Sequence, residues 1–399
     1  MRRCWTVILL LSLCLAAPAQ EVLAPWKALS DSITRVMGYD PVPGNSVQLF
    51  QSGEAFIASL LKDINEAKES IDLEYYWMSK DEVGTPVRDA LIRKAGEGLR
   101  VRVVVDNRIV PLVPKSFFRK MEKGGVELRF SKDFEKTRLW ELPGMLLGER
   151  DHRKIVILDR RTCYTGGMNL CQEILEWGDT HMRIEGPLTA SLLSLFEETW
   201  CLLGGQPAPD APEKAWEETH TPALAQLIYG DGSAILEDIY LQVLDGVQRY
   251  IYFRSPYMVP PPRLLEALKK TARRGVDVRI LLPLKSDWPF MSDITRYYYE
   301  SLHQAGVRLY TYAPAYNHTK GFVADDYLSS YGTVNLDNRS FYINWEDAVF
   351  FYDETLAQEH LTDFLSMLAQ SQEVLPGSAP IVGLEKTWVN FLLSVAPIL

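Results

Sequence analysis

Cysteine and positive charge are what this chain is short of. Of its 399 residues five are Cys, namely Cys4, Cys14, Cys163, Cys171 and Cys201. There is no CxxC pair and no Cys/His cluster at zinc spacing, so no structural metal is expected and none of the histidines reads as part of a zinc site. Lys and Arg number 42 against 52 Asp and Glu, a formal net charge of −10. No global field therefore draws nucleic acid or an anionic membrane, and binding to either would need a local basic patch. What the chain does have is apolar content: 47% hydrophobic residues, enough for one large or two ordinary domain cores.

The opening stretch MRRCWTVILLLSLCLAAPAQ has a basic start at Arg2 and Arg3 and a short apolar run from Trp5 to Leu15. Ala17-Pro18-Ala19 then supplies small residues. This reads as a secretory signal over residues 1–19, cut before Gln20, with an uncleaved anchor as the alternative. The expectation is export, to the periplasm or the outer face of the cell membrane. Cleavage would leave three cysteines, an odd number that allows at most one internal disulfide.

The rest of the chain is written twice. Residues 67–106 and 247–283 both read as an apolar strand, an amphipathic helix, a Gly turn and a β-branched strand. Gly98 and Gly275 stand where the helices would end. KGGVELRF (123–130) and QAGVRLYTY (304–312) follow, each a turn and a strand. After them come DHRKIVILD (151–159) with YTGGMN, and NHTKGFVAD (317–325) with SYGTVN. The pairs His152/His318, Gly166/Gly332 and Asn169/Asn335 are each 166 residues apart. Strands alternating with helices argue for an α/β fold. The expected architecture is two similar lobes, each a mixed β-sheet flanked by helices, related by a pseudo-two-fold axis around one shared active site. The first lobe is expected over 20–205, a Pro/Ala/Glu-rich linker over 206–224, and the second lobe with a C-terminal amphipathic segment over 225–399.

Alternation along a strand puts His152 and Lys154 on one face, and likewise His318 and Lys320, while Asp159 and Asp325 fall on the other face and fix the backbone behind it. A neighbouring imidazole and ammonium suit a phosphoryl group: the ammonium offsets its charge and a neutral imidazole attacks phosphorus or carries a proton. Thr333, Asn335 and Asn169 follow glycine turns and are candidate donors to phosphate oxygens. An imidazole nucleophile needs a partner on its other nitrogen. Asp179 and Glu346 are offered, 27 residues after His152 and 28 after His318. One such motif is weak; two in register are not. His220, His303 and His360 read as surface or packing residues, and His181, beside Asp179, is left open.

The doubled HxKxxxxD pattern resembles the phospholipase D superfamily. RDHRKIVILDRRTCYTGGMNL, WGDTHMRIEGP, PYMVPPPRLLEALKKTARRGVDVRILLPLKSDWP, YYYESLHQAGVRLYTY and GTVNLDNRSFYINWEDAVFFYD are similar, more narrowly, to bacterial cardiolipin synthases. The resemblance runs over about residues 45–399. It implies two phospholipase D-like lobes and a phosphatidyltransferase that needs no cofactor. His152 would be the nucleophile that becomes phosphohistidine, and His318 the acid and base. Lys154, Lys320, Asn169, Asn335 and Thr333 would bind phosphate, and Asp159 and Asp325 complete the two catalytic motifs. It further implies that the carboxylates act across the lobes, Glu346 on His152 and Asp179 on His318. Partners would be phosphatidylglycerol and other anionic phospholipids, with peripheral membrane contact and no nucleic acid. Cys171 and Gln172 replace the usual Gly and Asp, and Gly321 and Ala324 replace larger aliphatics, which could loosen that strand.

Three readings stand side by side: a phosphatidyltransferase, a hydrolase using the same site on lipid or as a secreted nuclease, and a protein that binds anionic lipid without turnover. Two complete motifs argue against the third. Trp388, Phe391, Leu392, Leu393 and Leu399 suit either a membrane interface or a helix packed on the core, and MVPPPRLL (258–265) is a second possible lipid-facing loop.

Overall fold

The computed structural model describes residues 23–106, 113–131, 148–209, 223–378 and 380–395. The signal-like segment, most of the linker, His220 and Leu399 lie outside the described residues. A helix over 23–37 precedes the first strand. The first half contributes β1 (Val42–Phe50), β2 (Ser70–Tyr75), β3 (Arg100–Val105), β4 (Glu127–Phe130), β5 (Lys154–Leu158), β6 (Thr162–Gly166) and β7 (His181–Glu185). The second contributes β8 (Ala223–Asp231), β9 (Tyr250–Arg254), β10 (Met258–Val259), β11 (Asp277–Pro283), β12 (Arg308–Tyr312), β13 (Gly321–Ala324), β14 (Leu328–Gly332), β15 (Leu336–Asp337), β16 (Trp345–Tyr352) and β17 (Ser371–Glu373). Ala223 and Leu224, taken as the end of the linker, already belong to β8.

Fifteen of these strands form one sheet in the order β17-β12-β11-β9-β13-β14-β16-β8-β1-β7-β6-β5-β2-β3-β4. Counted outward from the β8/β1 pair, the order on the two sides is the same: β16 matches β7, β14 matches β6, β13 matches β5, β9 matches β2, β11 matches β3 and β12 matches β4. Each half mixes parallel pairs, β2/β3 and β9/β11, with antiparallel hairpins, β5/β6 and β13/β14. This is the pair of mixed-sheet lobes about a pseudo-two-fold axis that the repeat predicts. The lobes share a sheet and a core: Ile155, Ile157, Phe196 and Trp200 from the first half pack with Ala225, Leu227, Val349 and Phe351 from the second. Each such aliphatic or Phe side chain contributes about 1.5–3 kcal/mol on burial.

Local signals account for the elements. Helices Gly84–Gly96 and Pro262–Arg273 run out just before Gly98 and Gly275, whose φ values of 94° and 98° are left-handed and glycine-favouring. The central strands are buried on both faces over most of their length, which is why RVRVVV and DVRILLP carry near-continuous apolar runs, VVV in one and ILLP in the other. Gly321 does not loosen β13. The strand is fully buried between β9 and β14, and a Cβ at 321 would stand 2.1 Å from the Ser330 carbonyl oxygen, so cross-strand crowding requires the glycine. The MVPPPRLL loop is not lipid-facing at its start: Met258 and Val259 are buried in a short parallel pair with Leu336 and Asp337.

Candidate active site

The two motifs meet because each histidine-bearing segment forms a small bridge to the opposite half. Trp345 N donates to Arg150 O and His152 N donates to Trp345 O, at 2.7 and 2.9 Å. In the other direction Gly178 N donates to Tyr316 O and His318 N to Gly178 O, at 2.9 and 2.7 Å. The residue after each bridge point is a carboxylate, and both therefore cross. The N–H at Nδ1 of His152 donates to Glu346 Oε2 at 2.8 Å, and that of His318 to Asp179 Oδ2 at 2.6 Å. Glu346 is held in turn by Ser340 Oγ and Asn344 Nδ2, and Asp179 by the Thr180 amide. Among the described residues Nε2 of neither His152 nor His318 has a hydrogen-bond partner, so that nitrogen of each ring is open for chemistry.

The lysines complete the pocket. Lys154 Nζ donates to the His152 carbonyl at 2.6 Å, Lys320 Nζ donates to the His318 carbonyl, and Lys320 lies 3.7 Å from Asp179. Burial pulls the Lys154 ammonium down to about 8, against the pull of Glu346, Asp347 and Asp179. Burial likewise pulls Lys320 down to about 7, Asp179 opposing and Lys154 adding to the fall. His318 is brought down to about 4 by burial and by Lys320, and His152 is lowered by burial with Lys154 and Lys320 against Glu346. Burial would raise the two carboxyls, but Lys320 and His318 hold Asp179, and His152 holds Glu346, below the usual range. Burial is what disfavours the charged forms of these groups, and the negative charge of an entering phosphodiester would favour them.

Asn169 and Asn335 are buried, and Oδ1 of each has no partner among the described residues; that atom is an acceptor, so a bond to a phosphate oxygen would have to come from Nδ2. Thr333 is placed differently from its expectation as a phosphate donor. Its hydroxyl donates to the Asp347 carbonyl at 3.1 Å and accepts from the Asp347 amide, so it shapes the backbone beside Glu346. Its counterpart Gly167 has no room for a side chain, because a Cβ there would stand 2.1 Å from Asp179 Oδ1. Asp159 and Asp325, grouped with the catalytic residues as motif members, are outside the pocket. Asp159 accepts from the amides of Lys68, Glu69 and Ser70, and Asp325 from those of Gln248, Arg249 and Tyr250. Both stand in hairpin turns at a φ of 52°, a conformation short acidic side chains tolerate.

His181 is a packing residue: buried, 4.2 Å from the Phe56 ring, 3.3 Å from Tyr75 Oη and pulled down by burial to about 3. His360 is buried against Tyr331. Sequence reasoning missed the aromatic wall of the site. Tyr76 stands 5.0 Å from His152, Trp177 4.7 Å and Tyr316 5.8 Å from His318 (ring centroids). It also missed Asp347, a buried carboxyl raised to about 6 by burial and bonded to Thr165 of the other half. Among the described residues no three His, Cys, Asp or Glu side chains converge as metal ligands would.

Two inward imidazoles, each oriented by a carboxylate and flanked by an ammonium, define a phosphodiester-processing site on a duplicated α/β fold. The chain belongs to the family described as cardiolipin synthase, phospholipase D-like domain, whose sequence model matches residues 60–200 and 240–368. It is similar to the cardiolipin synthase of Listeria welshimeri, 31% identical over 367 residues covering 89% of this chain and 75% of that protein. It is also similar to the major cardiolipin synthase of Bacillus subtilis, 32% identical over 360 residues covering 82% of this chain and 70% of the relative. Among solved structures, phosphatidylserine synthase of Haemophilus influenzae aligns over 88% of this chain and 95% of its own. The TM-score is 0.68 at 15% identity, a likeness of fold.

Proposed function

We propose that the protein is a cardiolipin synthase-type phosphatidyltransferase acting on phosphatidylglycerol. The observation that carries this is the crossed pairing of His152 with Glu346 and of His318 with Asp179, each leaving Nε2 open. In the first step the negative charge of the bound phosphodiester favours the doubly protonated form of His318; His152 Nε2 bonds to phosphorus, the bond from phosphorus to the headgroup oxygen breaks, and His318 gives that oxygen its Nε2 proton. In the second step a lipid hydroxyl gives its proton to His318 and its oxygen displaces His152. Glu346 and Asp179 hold the tautomers and stabilise the cationic rings. Lys154, Lys320, Asn169 and Asn335 offset the charge on the phosphate oxygens. Phosphatidylglycerol vesicles incubated with the protein should yield cardiolipin and free glycerol in equal amounts. Phosphatidic acid as the sole lipid product would instead make water the acceptor and favour the hydrolase.

Peripheral membrane contact belongs to the same proposal. No described helix is long and apolar enough to cross a membrane. The helix Gly383–Val395 buries Val389 and Leu392 but exposes Leu384, Trp388 and Phe391 at i, i+4 and i+7, with the last two rings stacked at 5.8 Å. Both readings of this segment thus find support, one on each face. Co-sedimentation with phosphatidylglycerol vesicles should weaken when Trp388 and Phe391 are changed together to Ser. Export, expected from residues 1–19, is proposed with it. It is tested by sequencing the mature N-terminus, which should begin near Gln20 and not at Met1.

A further inference from the structure

Beside His318 stands a second cluster that the phosphate chemistry does not use. Tyr257 Oη donates to Asp287 Oδ1 and Oδ2 at 2.7 and 2.9 Å, and Tyr316 Oη donates to Oδ1 at 2.7 Å. Oδ1 also accepts from Ser286 Oγ and the Trp288 amide at 3.1 and 2.9 Å. The Tyr316 ring lies 5.8 Å from His318 and 5.0 Å from Trp177, itself against His318. Asp287 is thus tethered on the side of the proposed acid and base, while the residue itself is exposed. We propose that Asp287, presented by Tyr257 and Tyr316, is the headgroup subsite, and that it receives a free hydroxyl of the glycerol unit that leaves, and later enters, beside His318.

Three features select that ligand. The tyrosine hydroxyl protons and the Trp288 amide are already spent on Asp287, so the cluster offers acceptors and hardly any donors. Oδ2, which among the described residues accepts from Tyr257 alone, has the spare capacity. An acceptor-rich, anionic cluster repels a phosphate and takes a hydroxyl-bearing group. The field of Asp287 also reaches Lys320, which partly balances its charge. Finally, this inference rests on the proposed function, in which both half-reactions place a glycerol unit at this side of phosphorus. As His152 bonds to phosphorus the departing glycerol oxygen takes the His318 proton; as the entering glycerol oxygen bonds to phosphorus its proton returns to His318 and His152 leaves. One subsite for a glycerol hydroxyl adjacent to the reacting oxygen serves both.

The test is partition of a common phosphatidyl-enzyme between alcohols. Phosphatidylglycerol vesicles are incubated with isotopically labelled glycerol and 1-propanol together, and with ethanolamine and 1-propanol together. The ratio of labelled phosphatidylglycerol to phosphatidylpropanol is independent of how much enzyme is folded and of the first step. In Asp287→Asn that ratio should fall roughly tenfold, the loss of one charge-assisted hydrogen bond. Tyr316→Phe should lower it less. An unchanged ratio in both variants overturns the proposal. So does a fall confined to the ethanolamine ratio, which would make the cluster an ammonium site. Failure of the wild-type protein to form any phosphatidyl-alcohol would overturn the phosphatidyltransferase reading itself, a distinct result.

Discussion

The half around His152 and the half around His318 share strand order and motif spacing, but they bury different chemistry behind the histidine. In the first half Arg153 pairs with Glu74 of β2 at 2.6 Å and with Asp151 at 3.0 Å, all three buried. At the equivalent places the second half has Thr319, Arg254 of β9 and Asn317. There Arg254 turns away to Asp363 of the helix Glu354–Leu368, and Asn317 donates to a backbone carbonyl. The ion pair behind one histidine is thus made within the site's own frame, and behind the other it is made with an outer helix. Burial lowers both lysines most; Lys154, with Glu346, Asp347, Asp179 and Asp151 opposing, sits at about 8. Lys320 sits at about 7 and His318 at about 4. A duplicated frame can give two chemically identical motifs unequal charge surroundings, which a reaction needing one nucleophile and one acid requires.

The comparison breaks most directly at the histidines. His152→Ala and His318→Ala should each lower cardiolipin formation by about a thousandfold or more, since each removes either the nucleophile or the proton carrier. With labelled phosphatidylglycerol and an acid quench, the label should appear on His152 in the wild-type protein. Label on His318 alone would exchange the roles of the halves.

Next come the crossed carboxylates. Glu346→Gln and Asp179→Asn should cost about a hundredfold or more, because an amide cannot stabilise the cationic imidazole. Glu346→Gln should abolish labelling at His152, while Asp179→Asn should slow protonation of the leaving group and be partly relieved by a leaving group of low pKa. If both variants behaved alike with such a substrate, the crossing would carry no division of labour.

Much of this was legible in the residues. The constant 166-residue offset placed two lobes about one site, and strand parity put His and Lys together and the motif aspartates elsewhere. The crossing of Glu346 and Asp179 came only with the family resemblance, since spacing along one chain does not say which half a side chain faces. The join of the lobes through β1 and β8 was not read at all: β1 mixes exposed, half-buried and buried positions without clean alternation. Thr333 reads as a phosphate donor from its place after the glycine turn that follows His318, and only the fold shows its hydroxyl engaged by Asp347. Tyr257 and Asp287 stand at the two ends of PYMVPPPRLLEALKKTARRGVDVRILLPLKSDWP, a stretch similar to cardiolipin synthases, but nothing in the repeat singles out either of them or Tyr316; three separate loops bring them together.

The motif aspartates sharpen the comparison on the side of stability. Asp159→Ala and Asp325→Ala each leave three backbone amides without their acceptor, so each should destabilise the fold by about 1–3 kcal/mol, read as a lowered denaturation midpoint. Turnover per folded molecule should stay close to wild type at a temperature where the variants are folded. A variant that is stable but inactive would return these residues to the catalytic group.

The smallest expected effect is on anion affinity, and its sign follows from the lysines. In the free protein Lys320 is held at about 7 and Lys154 at about 8, chiefly by burial. An anion between them favours the ammonium form and raises both values, so at pH 8 binding must take up protons, while below pH 6 the ammoniums are already formed and little uptake occurs. Sulfate is a suitable probe because it does not itself titrate in this range. Its affinity should be nearly constant below pH 6 and should fall by up to about tenfold per pH unit above 7 as Lys320 loses its proton, more steeply once Lys154 follows. Calorimetry at pH 8 in buffers of different ionisation enthalpy should register the uptake directly. In Lys320→Arg the guanidinium stays charged, so the first part of the decline should vanish and the part above pH 8 should remain. An affinity independent of pH between 6 and 9, with no proton taken up, would mean that the lysines are charged before the anion arrives and that burial does not hold them down.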